Sequence, residues 1–399
     1  MKNKLILSVL AVFQLAFTGF ANFYPEALAV HPTENMMVIA HESGNIIIIE
    51  KTTYKHLKTV KVFAEIEAIN FSNNGGHLWV FGVDADDNDG LIQLNSSTWE
   101  KTAEFECERA AFSTIGNKLA YKKDYFATEI KLIDMTSAEL VGSLKMTFTN
   151  EKSKADFFEF STDGKNLIMA ENVFGESPCE ILVFPSEGFV STPLKSVISR
   201  SKISTGFGTG LCSFNDEHIL IGWSETIKAG KDSATVFDRG YDYCYSFCAS
   251  PDGKYFFIGT SSGRASRYEF STFKKTEVRV EEMKGATGNI MGICTTDGKV
   301  YHFITEDYIV GTINPDGFVL KQNFISMNVN VILDSYETKE LETIRAACKA
   351  NGCAAEIPDE YDEENPVVIA TNIPMSAAYT LIEKMDDADV YCLVSIIEP

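Results

Sequence analysis

Positive charge is what this 399-residue sequence has least of: 35 Lys and Arg stand against 56 Asp and Glu, a formal net charge of −21. A surface of that sign repels phosphate backbones and anionic lipid headgroups, which sets aside nucleic acids and charged membrane surfaces as partners. Paired cysteines are missing too. The nine cysteines contain no C-x-x-C, so no zinc knuckle or thioredoxin-type motif is spelled out. Cys244 and Cys248 fall in one expected strand, where four residues span roughly 13 Å, too far for a bond or a shared metal. Cys348 and Cys353 flank an expected helix end and could approach each other; the cysteines otherwise read as core residues. The six histidines, at 31, 41, 56, 77, 218 and 302, include no H-E-x-x-H, and His31 and His41 are expected to act locally within their own repeat. Glycine-rich Gly206–Gly210 lacks the Lys-Ser/Thr of a phosphate loop and reads as the entry to a strand.

Long apolar runs are confined to the start, MKNKLILSVLAVFQLAFTGFAN. Lys2 and Lys4 precede an apolar stretch from Leu5 to Phe17, and small residues at Gly19 and Ala21 fit cleavage after Ala21. Residues 1–21 therefore read as a signal peptide, and the protein as exported to a periplasm or the outside. If the segment is not a signal, a cytoplasmic location follows instead. The run is too short for a comfortable transmembrane helix, so no membrane span remains after cleavage.

A repeat organises the rest. The hairpin SPDGKYFFIG (250–259) has partners at 30–44, 71–82, 112–123, 160–171, 213–224 and 294–305. Each is an apolar strand, a polar turn and a second apolar strand. The turns align on Asn35, Gly75, Gly116, Gly164, Glu217, Gly253 and Gly298, a ragged period near 44 residues. A second motif recurs after four of the hairpins, an alternating strand, a Thr/Ser-rich turn and another strand, as in GNIIIIEKTTYKHLKTVKV and GLIQLNSSTWEKTAEFE. Four short strands per unit at this spacing argue for a β-propeller. The expected fold is mainly β: a seven-bladed β-propeller over residues 23–325, least regular around 196–240.

The inner hairpin resembles those of the WD40 and YVTN-type propellers over about three quarters of the chain, without the Trp-Asp dipeptide of the former. That resemblance implies recognition of protein, peptide or glycan partners on a loop-rich face. It also bears on Gly259-Thr260-Ser261-Ser262-Gly263, which spells the G-x-S-x-G of serine hydrolases. A nucleophile elbow needs a strand feeding a helix, whereas here a strand feeds a strand, and the copy at 40–44 carries Glu42 in the serine's place. Ser261 is read as a turn residue, and no catalytic residue is assigned.

From about residue 328 the period changes to that of a small α/β domain, 328–399, of the ferredoxin-like, split βαβ kind. NVNVILDSY reads as a strand. ETKELETIRAACKANG reads as a helix with Leu341, Ile344 and Ala347/Cys348 inward and Gly352 as its stop. CAAEI is expected to be a short strand, VVIATNI a buried one, PMSAAYTLIEKMDDA a helix and VYCLVSII the last strand. The domain resembles the ribosomal L7/L12 C-terminal domain and, in strand order and size, the SPOR domains that bind peptidoglycan. Its four basic residues stand against 15 acidic ones, a departure from the basic helix that L7/L12-type domains present.

One polar cluster suggests a ligand. In DADDNDG, Asp84, Asp86, Asn88 and Asp89 could offer oxygens to Ca²⁺, a hard cation that takes several carboxylates, although the spacing misses the EF-hand pattern by one residue. No other cofactor is implied. The functional expectation is a non-enzymatic binding or scaffold protein with a second recognition module at its C-terminus. The alternatives are a lyase- or hydrolase-type propeller enzyme with its site in the central cleft, and a SPOR-like cell-envelope glycan binder.

Overall fold

The structure, a computed structural model, describes residues 25–399 apart from 114, 125–126, 146–154, 172–178, 188–194, 200–206, 215–216, 223–225, 230–233, 239–243, 262, 282–287, 335, 354–355, 362–366 and 398–399. Side chains are described in these except at 155–157, 170–171, 179–181 and 195–238. The expected signal peptide lies outside the described residues, as does Gly206.

Seven four-stranded antiparallel sheets follow one another, each made of four strands consecutive in sequence. Their first strands are Pro25–Val30, Glu65–Phe71, Arg109–Ser113, Ala155–Phe160, Phe207–Phe214, Ser246–Ala249 and Ile290–Cys294. The first strand of the first sheet lies against the first strands of both the second and the seventh. Third through seventh sheets meet in sequence by the same strands. Sheets two and three join through a shared cluster around Trp79, Leu91, Leu119 and Met135. There the Trp79 indole N–H and the Gln93 amide both donate to Met135 O, at 2.7 and 3.0 Å.

Burial explains the strand sequences. Second strands are covered on both faces, so Met36–His41 is buried throughout and reads as an unbroken apolar run. Fourth strands face solvent and are polar, as in His56–Lys61.

The repeated turn has a defined chemistry. Ser161 Oγ donates to Asp163 Oδ1 (2.7 Å) and accepts the Asn166 amide (3.0 Å), while the Gly164 amide donates to Ser161 O (2.8 Å). Ser72 and Ser250 repeat the pattern with Asn74 and Asp252. Gly75, Gly164, Gly253 and Gly298 hold φ between +65° and +76°, which glycine alone adopts without cost. In the third sheet the left-handed residue is Asn117, φ +49°, one position after the aligned Gly116.

The Thr/Ser-rich turn is built differently. Its fifth residue donates its amide back to the first residue's carbonyl and is left-handed, at Tyr54, Trp99, Ala138 and Phe273. Left-handed backbone costs a non-glycine residue about 1–2 kcal/mol. Burying a large apolar side chain returns about 1.5–3 kcal/mol, and Tyr54 is only 1% exposed. Packing wins over strain there.

After the seventh sheet come a three-stranded antiparallel sheet and two helices, α1 (Leu341–Ala350) and α2 (Met375–Asp386). Strand Asn328–Leu333 is central, with Val368–Pro374 and Cys392–Ile396 on either side of it. Of the expected strand CAAEI, Ala354 and Ala355 lie outside the described residues, and the described Cys353, Glu356 and Ile357 are not in a strand. Side-chain bonds explain the departure. Arg345 on α1 donates to Ile357 O (2.8 Å) and pairs with Asp359 (2.7 Å), while Tyr336 Oη donates to Pro358 O (3.0 Å). Residues 357–359 are thus tied to α1 and to Tyr336.

This unit packs on the first and seventh sheets. Ser326 donates its amide to Tyr54 O (2.8 Å) and accepts the His56 amide (3.1 Å), and Tyr379 of α2 stacks on Phe324 with centroids 5.3 Å apart. One hydrophobic cluster runs through all three bodies.

Candidate functional site

Where the first strands end, the sheets converge on a cavity of about 360 Å³. Its lining comes from six of the seven sheets, including Asn70, Ser113, Glu159, Ser161, Cys248 and Thr295. The fifth sheet's side chains lie outside the described residues. Hydroxyls, an amide and thiols alternate with Leu28, Ile69, Phe112, Phe247 and Ile293, a mixed wall of the kind that orients ligands.

Glu159 is the carboxylate of that lining. Burial pushes its carboxyl up to about 7, while the Phe160 amide, donating to Oε1 at 3.0 Å, and the Arg109 charge act in the opposite direction. Removing a carboxylate from water disfavours its charged form, so Glu159 is poised to bind either a proton or a cation.

Its position has a sequence signature. Two residues before the hydrogen-bonding turn residue, the copies carry Ala29, Asn70, Ala111, Glu159, Cys248 and Ile293. Glu159 is the charged exception among neutral residues, and it lines the cavity. Counting from the turn serine, not from the turn glycine, would have isolated it.

The opposite ends of the first strands are acidic. Burial, then the charges of Glu42, Glu65 and Glu67, push Glu26 up to about 7. Glu67 is likewise raised by burial, with Asp89 and Glu65 adding to it and Arg109 opposing.

His31 and His41 reach beyond their own repeat. His31 takes the place of the turn serine in the first sheet: its Nδ1 accepts the Glu34 amide (2.8 Å), leaving Nε2–H to donate to Gly75 O in the second sheet (3.0 Å). His41 Nδ1 accepts the Ser43 amide (3.1 Å), and Nε2 donates to Tyr308 Oη in the seventh sheet at 2.6 Å. Burial holds His41 down at about 4, so it is neutral at pH 7. Both rings shape a turn in their own repeat and also bridge to another sheet, and the pattern of single-repeat spacing carries no sign of the bridging.

Ser261 sits in the turn between strands Tyr255–Gly259 and Arg264–Glu269, where the Arg264 amide donates to Ser261 O (3.3 Å). Ser262 lies outside the described residues. In the acidic turn, Asp84 Oδ1 accepts the Asp86 and Asn88 amides at 2.8 and 3.0 Å and also the Asn88 side chain. Asp86, Asn88 and Asp89 are exposed. Among the described residues, no three His, Cys, Asp or Glu side chains are placed to hold one metal ion. A Ca²⁺ bound by Asp84 would compete with the bonds that shape this turn.

No family model matches the chain, and no curated protein matches it. Among solved structures it is similar to the hydrazine synthase of Kuenenia stuttgartiensis, with a TM-score of 0.55 and 14% identity, covering 74% of this chain and 97% of that one. At that identity the likeness concerns the fold alone, which is β-rich and propeller-like. Among the described residues, no helix is long and apolar enough to cross a membrane.

Proposed function

We propose that the seven sheets are the blades of one closed propeller, and that the chain is a binding protein whose central cavity receives a cationic side chain of a peptide or protein partner. The observation that carries this reading is the cavity itself, lined from six sheets and holding Glu159 as its carboxylate. The order of neighbouring first strands, returning from the seventh sheet to the first, supports the closed ring. A lysine or arginine entering the cavity meets a carboxylate that water solvates poorly, where a charge-assisted bond is strong. The described lining contains Ser and Cys but neither His nor Lys, which favours recognition over nucleophilic catalysis. Lys2 and Lys4 followed by an apolar run support an exported protein. An N-terminal sequence starting at Asn22 supports that location, and one starting at Met1 removes it.

The test is selection of random peptides displayed on phage against the full-length protein. Lysine or arginine is expected at one enriched position, and Glu159→Gln is expected to weaken the selected peptides at least about ten-fold. Their affinity should also fall as the pH drops below about 7 and Glu159 takes up a proton. Enrichment of neutral or acidic peptides, or binding only to glycans, would sink the reading.

A further inference from the structure

Helix α1 ends in a backbone motif that places two thiols together. Its last helical residue is Ala350, Asn351 is the cap and Gly352 follows with φ +74°. The Cys353 amide donates to Cys348 O at 2.9 Å, and the Gly352 amide to Lys349 O at 3.3 Å. These are the two bonds of a Schellman motif, in which the side chains three residues inside the helix and two beyond its cap meet. In this helix those two positions are Cys348 and Cys353. Cys348 is buried and Cys353 half-buried, so an oxidant reaches Cys353 first.

We propose that Cys348 and Cys353 are a disulfide-forming pair, closed by exchange with a small-molecule disulfide such as oxidised glutathione. The Cys353 thiolate attacks one sulfur of that disulfide, forms a mixed disulfide and releases one thiol. Cys348 then attacks the Cys353 sulfur and displaces the second thiol. The two protons of the cysteines pass to the two released thiols, and the two electrons reduce the small disulfide. The bond fastens the end of α1 to the chain that leads to Ile357, whose carbonyl Arg345 already holds. Burial pushes Cys348 up to about 12 and also raises Cys353, so closure is slow at neutral pH and quickens in alkali. Cys392 is the competing thiol, close enough to feel both charges. The pair acts independently of the central cavity.

The full-length protein is equilibrated with mixtures of oxidised and reduced glutathione, quenched with acid, alkylated under denaturing conditions and mapped by peptide mass spectrometry. The expected product is a 348–353 crosslink two hydrogens lighter and unalkylated at both sulfurs. Its ratio to the dithiol should be about ten-fold or more higher in the folded protein than in the urea-unfolded chain, because the motif pre-positions the sulfurs. Cys348→Ser should arrest Cys353 as the glutathione adduct, and Cys392→Ser should leave the crosslink intact. Gly352→Ala is the sharpest variant. Its added Cβ meets nothing within 4 Å, so only the left-handed backbone opposes it, and the folded ratio should drop about five-fold. Recovery of both cysteines alkylated at every mixture would overturn the proposal. So would a crosslink to Cys392, a folded ratio no higher than the unfolded one, or a Gly352→Ala ratio equal to wild type.

Discussion

Glu159 concentrates the chemistry of the cavity in one side chain. Its carboxyl is ordinary at about 4.5 in the unfolded chain and rises to about 7 in the fold. The folded protein therefore holds this proton more tightly, and the associated stability is complete below about 4.5 and lost as the pH rises through 7. Glu159→Gln removes that loss. It is expected to stabilise the protein by on the order of 1–3 kcal/mol above pH 7, with the gain shrinking to nothing near pH 4.5. Urea melts of both proteins at pH 4.5 and 8 check this; an equal difference at the two pH values would refute the assignment. Arg109 opposes the shift, so Arg109→Gln should lower wild-type stability at pH 8 and do less when combined with Glu159→Gln. The same residue thus carries both a stability penalty and the proposed recognition, the usual relation between a buried charge and a functional site.

The turns show how one element type can satisfy different backbone demands. In the hairpin turn, Gly75 has φ +76°, and a Cβ there would collide with the His31 ring. Gly75→Ala should cost more than about 2 kcal/mol, since it combines left-handed strain with displacement of a buried ring. In the Thr/Ser-rich turn, Ala138 has φ +60° and only a methyl group to bury. Ala138→Gly should therefore stabilise by about 0.5–1 kcal/mol, whereas Tyr54→Gly should destabilise, because burial outweighs strain there. Thermal melts of the three variants separate these cases; destabilisation by Ala138→Gly would show that backbone strain does not govern the turn.

At the scale of the molecule, the junction of the first and seventh sheets is the place where the proposed ring closes. All four strands of each sheet come from one stretch of chain, so no strand is shared across that junction. It is held by the His41–Tyr308 bond, by the Ser326 backbone bonds and by the cluster that continues into α2. Tyr308→Phe is expected to cost about 1–2 kcal/mol and to speed amide exchange in Met36–His41 and Ile309–Ile313 more than in the third sheet. Uniform exchange across all sheets would argue that the junction is not a weak point. The shared cluster also implies that sheets six, seven and one unfold together with the C-terminal unit. Calorimetry should show these as one transition.

What the sequence determined by itself was whatever depends on neighbours along the chain. The hairpins were legible because the turn tends to need a hydroxyl, an acceptor two residues later and a left-handed residue, as at Ser72, Ser161 and Ser250. The inward face of α1 was legible from the spacing of Leu341, Ile344, Ala347 and Cys348, and the stop at Gly352 from its backbone freedom. The irregular backbone at residues 357–359 was not, because Arg345 and Tyr336 hold those residues from other elements. The roles of His31 and His41 were not legible either, since their partners Gly75 and Tyr308 lie 44 and 267 residues away. The cavity was beyond local reading for the same reason. Six strands contribute to it, each with a residue that is unremarked in its own repeat, and only their convergence makes Glu159 a desolvated charge. Hydrogen bonds between sequence neighbours are written in the local pattern. Desolvation and contacts between sheets exist only once the tertiary structure has brought the sheets together.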